Sequence, residues 1–222
     1  MALLSESNIK EIKKIFKDLE KEVYINLIKD DKNKETSETA EELLNEISLI
    51  DNRIKVRKYD RDRDEILRKF DLYLDKYGNR YGPIIFFESK PNIIFYGLPA
   101  GYEFSVFLQD IVSISKNSID ISLNAAKNIS KIKDKIDIYV FVTPTCPYCP
   151  RAVFDSHKFA FLNKNIRGIM IEATEFPEFS EKFEVYAVPK IVIIKEGEIL
   201  DEWEGALSEL EFSKRILEAI KE

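Results

Sequence analysis

The sequence predicts an α/β chain built from two tandem copies of one unit, each a mixed β-sheet flanked by helices. Three observations carry this. Segments with helical spacing of apolar residues alternate with short runs dense in Ile, Val and Phe. The order helix, strand, helix, strand, helix, strand, strand, helix is read twice along the 222 residues. Gly82-Pro83-Ile84-Ile85-Phe86-Phe87 is matched by Val188-Pro189-Lys190-Ile191-Val192-Ile193. Each is followed by a hairpin, a glycine (Gly97, Gly205) and a Glu-Phe pair opening a helix (Glu103-Phe104, Glu211-Phe212). A fixed order of matches, 106 residues apart at the prolines and 108 at the Glu-Phe pairs, marks an internal repeat of roughly 105 residues. The division falls near Asn117, giving units 1–117 and 118–222.

Ile9, Ile12, Ile15, Phe16 and Leu19 form one apolar stripe, so the chain opens with a helix. Glu22–Lys29 alternates and reads as a strand. The polar run Asp30–Glu38 leads into a helix with Ala40, Leu43, Leu44 and Ile47 on one face. Arg53–Tyr59 follows as a strand and Arg61–Tyr77 as a helix. Gly78, Asn79 and Gly82 interrupt the chain. Ile84–Phe87 and Ile93–Tyr96 make a hairpin, and Glu103–Ser115 is helical. In the second unit, helix Ser118–Ile132 precedes strand Ile136–Val142. Cys146–Leu162 starts as a turn and becomes a helix. Strand Ile166–Glu172, short helix Phe176–Phe183, strand Pro189–Ile194, strand Ile199–Trp203 and helix Leu207–Ile220 complete it.

Composition narrows the chemistry. Lys plus Arg number 34 and Asp plus Glu 40, a formal net charge of −6 with no basic block, so nucleic acid is not an expected partner. The longest apolar runs, such as Ile191–Ile194, fall far short of the roughly 20 residues of a membrane span. The opening Met-Ala-Leu-Leu-Ser-Glu lacks the basic start and long apolar run of a signal peptide. The expectation is a soluble, cytoplasmic protein with no membrane partner. Two cysteines and one histidine, His157, are too few for a four-ligand zinc site in one chain.

Thr143-Pro144-Thr145-Cys146-Pro147-Tyr148-Cys149-Pro150 lies between a strand and a helix. A helix N-terminus presents unpaired N–H groups and partial positive charge, which favour a thiolate over a thiol. Cysteines there have pKa values of about 3.5–7.5, against about 8.5 when free. Pro147 suits the first turn, where its missing N–H is no loss. Cys146, at the tip, is the expected nucleophile. Cys149, one turn further in, is the expected resolving thiol, held beside the sulfur it attacks. Competing readings are two buried fillers, half of a zinc site completed by a second chain, or a haem attachment, for which Pro150 stands where histidine is needed. The placement between strand and helix favours redox chemistry.

Cys-Pro-Tyr-Cys resembles the active-site tetrapeptide of glutaredoxins, and its context resembles the thioredoxin fold. The whole chain is similar to the archaeal and thermophilic protein disulfide oxidoreductases, which fuse two thioredoxin-like units. Phe95-Tyr96-Gly97-Leu98-Pro99-Ala100-Gly101, Val142–Pro150 and Ala187–Ile193 carry the resemblance. It implies two tandem thioredoxin-like units and a cis Pro189 facing the motif, with Pro83 in the matching slot. It further implies a Val188 backbone free to pair with an extended substrate segment beside Cys146. Many members carry Cys-x-x-Cys in both units. Here the corresponding stretch, Asp31–Glu35, has no sulfur, so only residues 118–222 can do dithiol chemistry. The thioredoxin position for a buried proton-accepting acid is Val140, and Glu172, ending the strand Ile166–Ile171, is the candidate substitute. Tyr148 tunes exposure of the motif and stacks on substrate. His157 and Trp203 read as packing residues.

The implied activity is thiol–disulfide exchange on protein thiols and disulfides at glutaredoxin-like potentials of about −200 to −230 mV. Re-reduction by a thioredoxin-reductase-type flavoprotein is implied, with no bound cofactor. A composition poor in Met and Gly agrees mildly with a thermophilic source. Two other readings stay open at this point. One is a redox-inactive adaptor with Cys146 and Cys149 as a structural disulfide. The other is a dimer in which Cys146 of two chains bridges an iron–sulfur centre.

Overall fold

The computed structural model describes residues 2–60, 64–70, 72 and 82–221. Helix α1 (Glu6–Ile15) and a short 3-10 turn (Phe16–Asp18) precede β1 (Val23–Lys29), α2 (Lys34–Ile50), β2 (Ile54–Asp60) and α3 (Asp64–Lys69). Then come β3 (Ile84–Phe87), β4 (Lys90–Tyr96) and α4 (Glu103–Lys116). The second half has α5 (Leu123–Ile129), β5 (Ile136–Val142), α6 (Cys149–Leu162), β6 (Ile166–Glu172) and α7 (Pro177–Lys182). It ends with β7 (Lys190–Lys195), β8 (Glu198–Glu204) and α8 (Glu209–Ala219). Of the helix expected over Arg61–Tyr77, Asp64–Lys69 is helical. Residues 61–63, 71 and 73–77, with the turn at Gly78-Asn79, lie outside the described residues.

The halves share one topology. In the first, β1 pairs parallel with β2 and antiparallel with β3, and β3 pairs antiparallel with β4. In the second, β5 pairs parallel with β6 and antiparallel with β7, and β7 antiparallel with β8. The expected pair of mixed sheets is in fact one. Strand β4 pairs parallel with β6, Ile93 opposite Gly168 through Tyr96 opposite Ile171, giving the order β2-β1-β3-β4-β6-β5-β7-β8. The inner strands read as near-continuous apolar runs because both faces are covered. One face carries Ile25, Leu27, Ile85, Phe95, Ile138, Val140 and Ile193 beneath α1, α2, α4, α5, α6 and α8. The opposite face carries Phe86, Tyr96, Tyr139, Phe141 and Ile171, closed chiefly by Phe176, Phe179 and Phe183 around α7.

Several helices start at different places from those the sequence predicts. Helix α2 begins at Lys34, inside the polar run, because Ser37 and Ala40 already point inward there. Helix α5 begins only after Ser122, whose side chain accepts the Ala125 N–H and caps it. Ile15, assigned to the buried stripe of α1, is exposed, since Ile12 and Phe16 fill that face.

Buried polar contacts lock the halves together. His157 Nδ1 on α6 lies 2.7 Å from Asp110 Oδ2 on α4, both fully buried, and the imidazole packs edge-on against Phe95. Burial pushes the Asp110 carboxyl up, and the neighbouring imidazole opposes that rise. Trp203 packs edge-on against Phe212, with the Arg215 guanidinium over its ring. His157 and Trp203 thus sit in packing positions.

Candidate active site

Strand β5 delivers the chain to the motif. The Cys146 N–H donates to Thr143 O at 3.0 Å, closing a turn, and α6 starts at Cys149. Pro147 therefore lies in the turn before the helix, and Pro150 takes the first-turn position expected of Pro147. The two cysteines are joined as a disulfide, with Cα atoms 5.5 Å apart. The Cys149 N–H donates to Cys146 Sγ at 3.2 Å. An N–H at a helix start aimed at the outer sulfur is the contact that stabilises a thiolate there once the bond is reduced. Cys146 keeps 7% of its surface and Cys149 none. The outer cysteine is thus more covered than the exposed tip expected from the sequence, because it is tucked under the loop before β7. The order of access, Cys146 before Cys149, remains.

That loop supplies the far wall. The Val188–Pro189 and Gly82–Pro83 peptide bonds are both cis. Val188 O lies 3.7 Å from Cys146 Sγ. Lys190, buried next to Pro189, reaches Glu202 at 3.2 Å and Glu184 O at 3.3 Å, which ties the loop to β8. Tyr148 stands 71% exposed at the start of α6.

Three carboxyl groups gather around the end of β6. Glu172, at the end of β6, is buried and accepts from Thr174 N, Thr174 Oγ1 and Glu175 N at 3.3, 2.7 and 2.7 Å. Its lone pairs organise that turn. Glu175 accepts the Leu98 N–H at 3.0 Å, and burial pushes its carboxyl up to about 8. Glu103, the first residue of α4, is 2% exposed, and neither of its oxygens has a hydrogen-bond partner. Burial, assisted by the charge of Glu172, pushes it up to about 7. Its neighbour Tyr102 donates its N–H to Pro144 O at 3.2 Å, inside the motif loop. Glu103 is not among the residues that the cysteine motif points to. Its signal is the spacing Glu103, Val106, Phe107, Asp110, Ile111, Ile114, which puts two carboxylates on the apolar stripe of one helix. Among the described residues, no three of His, Cys, Asp and Glu are grouped so as to hold a metal ion, and no helix is long and apolar enough to cross a membrane.

The first half shows what replaces the motif. Where β1 runs out, Asn33 precedes α2, as Tyr148 precedes α6. Asn33 Nδ2 donates to Gly82 O at 3.1 Å and to Glu175 O at 3.3 Å. The Asp30 carboxylate accepts the Gly82 N–H at 3.0 Å and the Lys32 N–H at 2.9 Å. Both backbone groups of Gly82, the counterpart of Val188, are taken by the chain's own side chains.

Comparisons with known proteins agree with this geometry. A thioredoxin domain family model matches residues 136–218. The protein disulfide oxidoreductase of Aeropyrum pernix K1 superposes with a TM-score of 0.84 at 23% identity, covering 98% of this chain and 94% of that one. The chain has the tandem thioredoxin fold. The same fold in the alkylhydroperoxide reductase AhpF of Enterococcus faecalis superposes at 0.82 with 22% identity, covering 96% of this chain and 99% of that one. Among curated sequences, an NADH dehydrogenase of Ferdinandcohnia aciditolerans is 24% identical over 161 residues, 72% of this chain and 28% of that protein. An alkyl hydroperoxide reductase component of Pseudomonas putida is 24% identical over 116 residues, 52% of this chain and 22% of that protein. The chain thus spans about a quarter of the length of the curated relatives it matches.

Proposed function

We propose that this protein is a thiol–disulfide oxidoreductase that acts on protein disulfides through the single Cys146-Pro147-Tyr148-Cys149 centre, in the cytoplasm, with residues 118–222 as the reacting unit and 1–117 as its cysteine-free partner. One observation carries the reading. A vicinal cysteine pair sits at a helix start, its outer sulfur receiving a backbone N–H and facing the Val188 carbonyl. In the reduced chain, the Cys146 thiolate attacks one sulfur of a client disulfide. A Cys146–client disulfide forms and the other client sulfur leaves as a thiolate. Cys149 then loses its proton and attacks Cys146 Sγ. The Cys146–Cys149 bond forms and the second client thiolate leaves. Two electrons pass to the client, whose thiolates take up the protons released by the dithiol.

Val188 and Pro189 position the client, the Val188 carbonyl pairing with an extended segment beside Cys146. Pro147 and Tyr148 shape the turn that presents the sulfur. A buried carboxylate is suited to take the Cys149 proton. Glu172 is one candidate. Glu103 is the better one, because its oxygens are unpartnered while those of Glu172 hold the Thr174 turn. A thioredoxin-reductase-type flavoprotein restores the dithiol.

The test is trapping. Cys149→Ser should accumulate a mixed disulfide between Cys146 and a client, cleaved by dithiothreitol. Cys146→Ser should form none and should not reduce insulin disulfides. Reduction of insulin by Cys146→Ser at the wild-type rate would end the reading.

A further inference from the structure

The thiol–disulfide reading assigns no part in the reaction to the cysteine-free first half. Its own cis-proline loop offers no edge to a client, since Asp30 and Asn33 occupy Gly82 on both sides. It reaches the second half's motif by another route. Gly101 has φ +61°, and a Cβ there would lie 2.1 Å from Pro144 O, so the two backbones are in direct contact. The Tyr102 N–H donates to that same oxygen at 3.2 Å. Position 102 is thereby fastened two residues from Cys146, while 52% of Tyr102 stays open to solvent.

Tyr102 is not alone. Among the described tyrosines, three are exposed: Tyr102, Tyr148 at 71% and Tyr186 at 85%. Tyr148 lies inside the motif and Tyr186 two residues before Val188. The others (Tyr24, Tyr59, Tyr96 and Tyr139) are buried or half-buried. Among the described residues, exposed tyrosines thus occur only on the three segments that meet around Cys146, and each comes from a different part of the fold. Tyrosine is a preferred anchor in recognition surfaces, because its ring brings large contact area at small entropy cost and its hydroxyl tolerates water.

We infer that Tyr102, supplied by the cysteine-free half, is a client-docking and specificity residue of the Cys146/Cys149 centre. Its partner is the polypeptide flanking the half-cystine of an oxidised protein, held in extended form along Val188. The ring packs against client side chains, and the reaction steps themselves do not involve it. The inference rests on the thiol–disulfide reading, and its consequence is specific. Tyr102 matters for large substrates and is indifferent to small ones.

The experiment compares Tyr102→Ala, Tyr102→Phe and wild type on two substrates, insulin and the small aromatic disulfide DTNB, with the same reductant. Tyr102→Ala should lower kcat/KM for insulin about 5- to 30-fold, through KM, as for an interface anchor. It should leave the DTNB rate within about twofold. Tyr102→Phe should keep most of the insulin activity. Unchanged insulin kinetics in Tyr102→Ala would overturn the inference. Equal loss on both substrates would also overturn it, since that is the mark of a displaced Pro144 loop. Conversion of a dimer to a monomer by Tyr102→Ala would assign the surface to a second copy, again against the inference. Cys146→Ser, run alongside, separates these outcomes from failure of the underlying reading. Its persistence in reducing insulin would remove the reaction itself.

Discussion

Replacing Glu103 with Gln tests the buried carboxyl at the start of α4. In the folded chain this group rises from its ordinary value of 4.5 to about 7, while in the unfolded chain it titrates near 4.5. Between those values the folded state holds a proton that the unfolded state has lost. Stability from this group is therefore intact below about pH 4.5 and falls as pH rises, levelling above about pH 7. The whole change is about 3 kcal/mol. Glu103→Gln keeps the shape and removes the titration, so its stability relative to wild type should climb by about 3 kcal/mol between pH 4.5 and pH 8. For a chain of this size that is about 6–12 °C in Tm. Glu175, pushed up to about 8, tilts both proteins in the same sense and cancels in the difference. The assay is thermal unfolding of both proteins across that pH range. Parallel curves, with a constant offset, would show that burial does not raise the Glu103 carboxyl.

Three further outcomes follow from the packing. His157→Ala leaves Asp110 buried without its partner, so urea unfolding should show a loss of about 3 kcal/mol or more; a loss under about 1 kcal/mol would mean the pair does not brace the halves. Gly101→Ala places a Cβ against Pro144 O at a positive φ, and should lower stability by about 2 kcal/mol or more together with insulin reduction; wild-type behaviour in both would contradict the close contact. Asp30→Ala frees the Gly82 N–H without creating a dithiol, so it should lower the melting temperature and leave the rate of insulin reduction per folded chain unchanged; a change in that rate with stability intact would give the first half's loop a direct part in the chemistry.

Much of this fold is legible in the residues because the same pattern is written twice. Pro83 and Pro189, the hairpins after them and the Glu-Phe pairs at Glu103 and Glu211 mark corresponding places, and strand, turn and helix bracket Cys146 and Cys149. Other features leave little trace. The pairing of β4 with β6 joins two separate units, and no periodicity encodes which edges meet. The start of α2 hides in polar residues because only one face of that turn is buried. Glu103 reads like an ordinary helix-opening acid, and only its place on the apolar stripe of α4 points to its burial. The closing of the first half's site by Asp30 and Asn33 depends on side chains meeting Gly82 across 52 and 49 positions of sequence.

The most direct measurement is a single turnover by the dithiol alone. Wild-type protein, fully reduced and freed of reductant, is mixed with excess insulin, and the new client thiols are counted as Cys146–Cys149 re-forms. One client disulfide should open for each disulfide regained by the chain, and none should be opened by Cys146→Ser. If wild type transfers no more thiols than Cys146→Ser, the pair is not a redox centre.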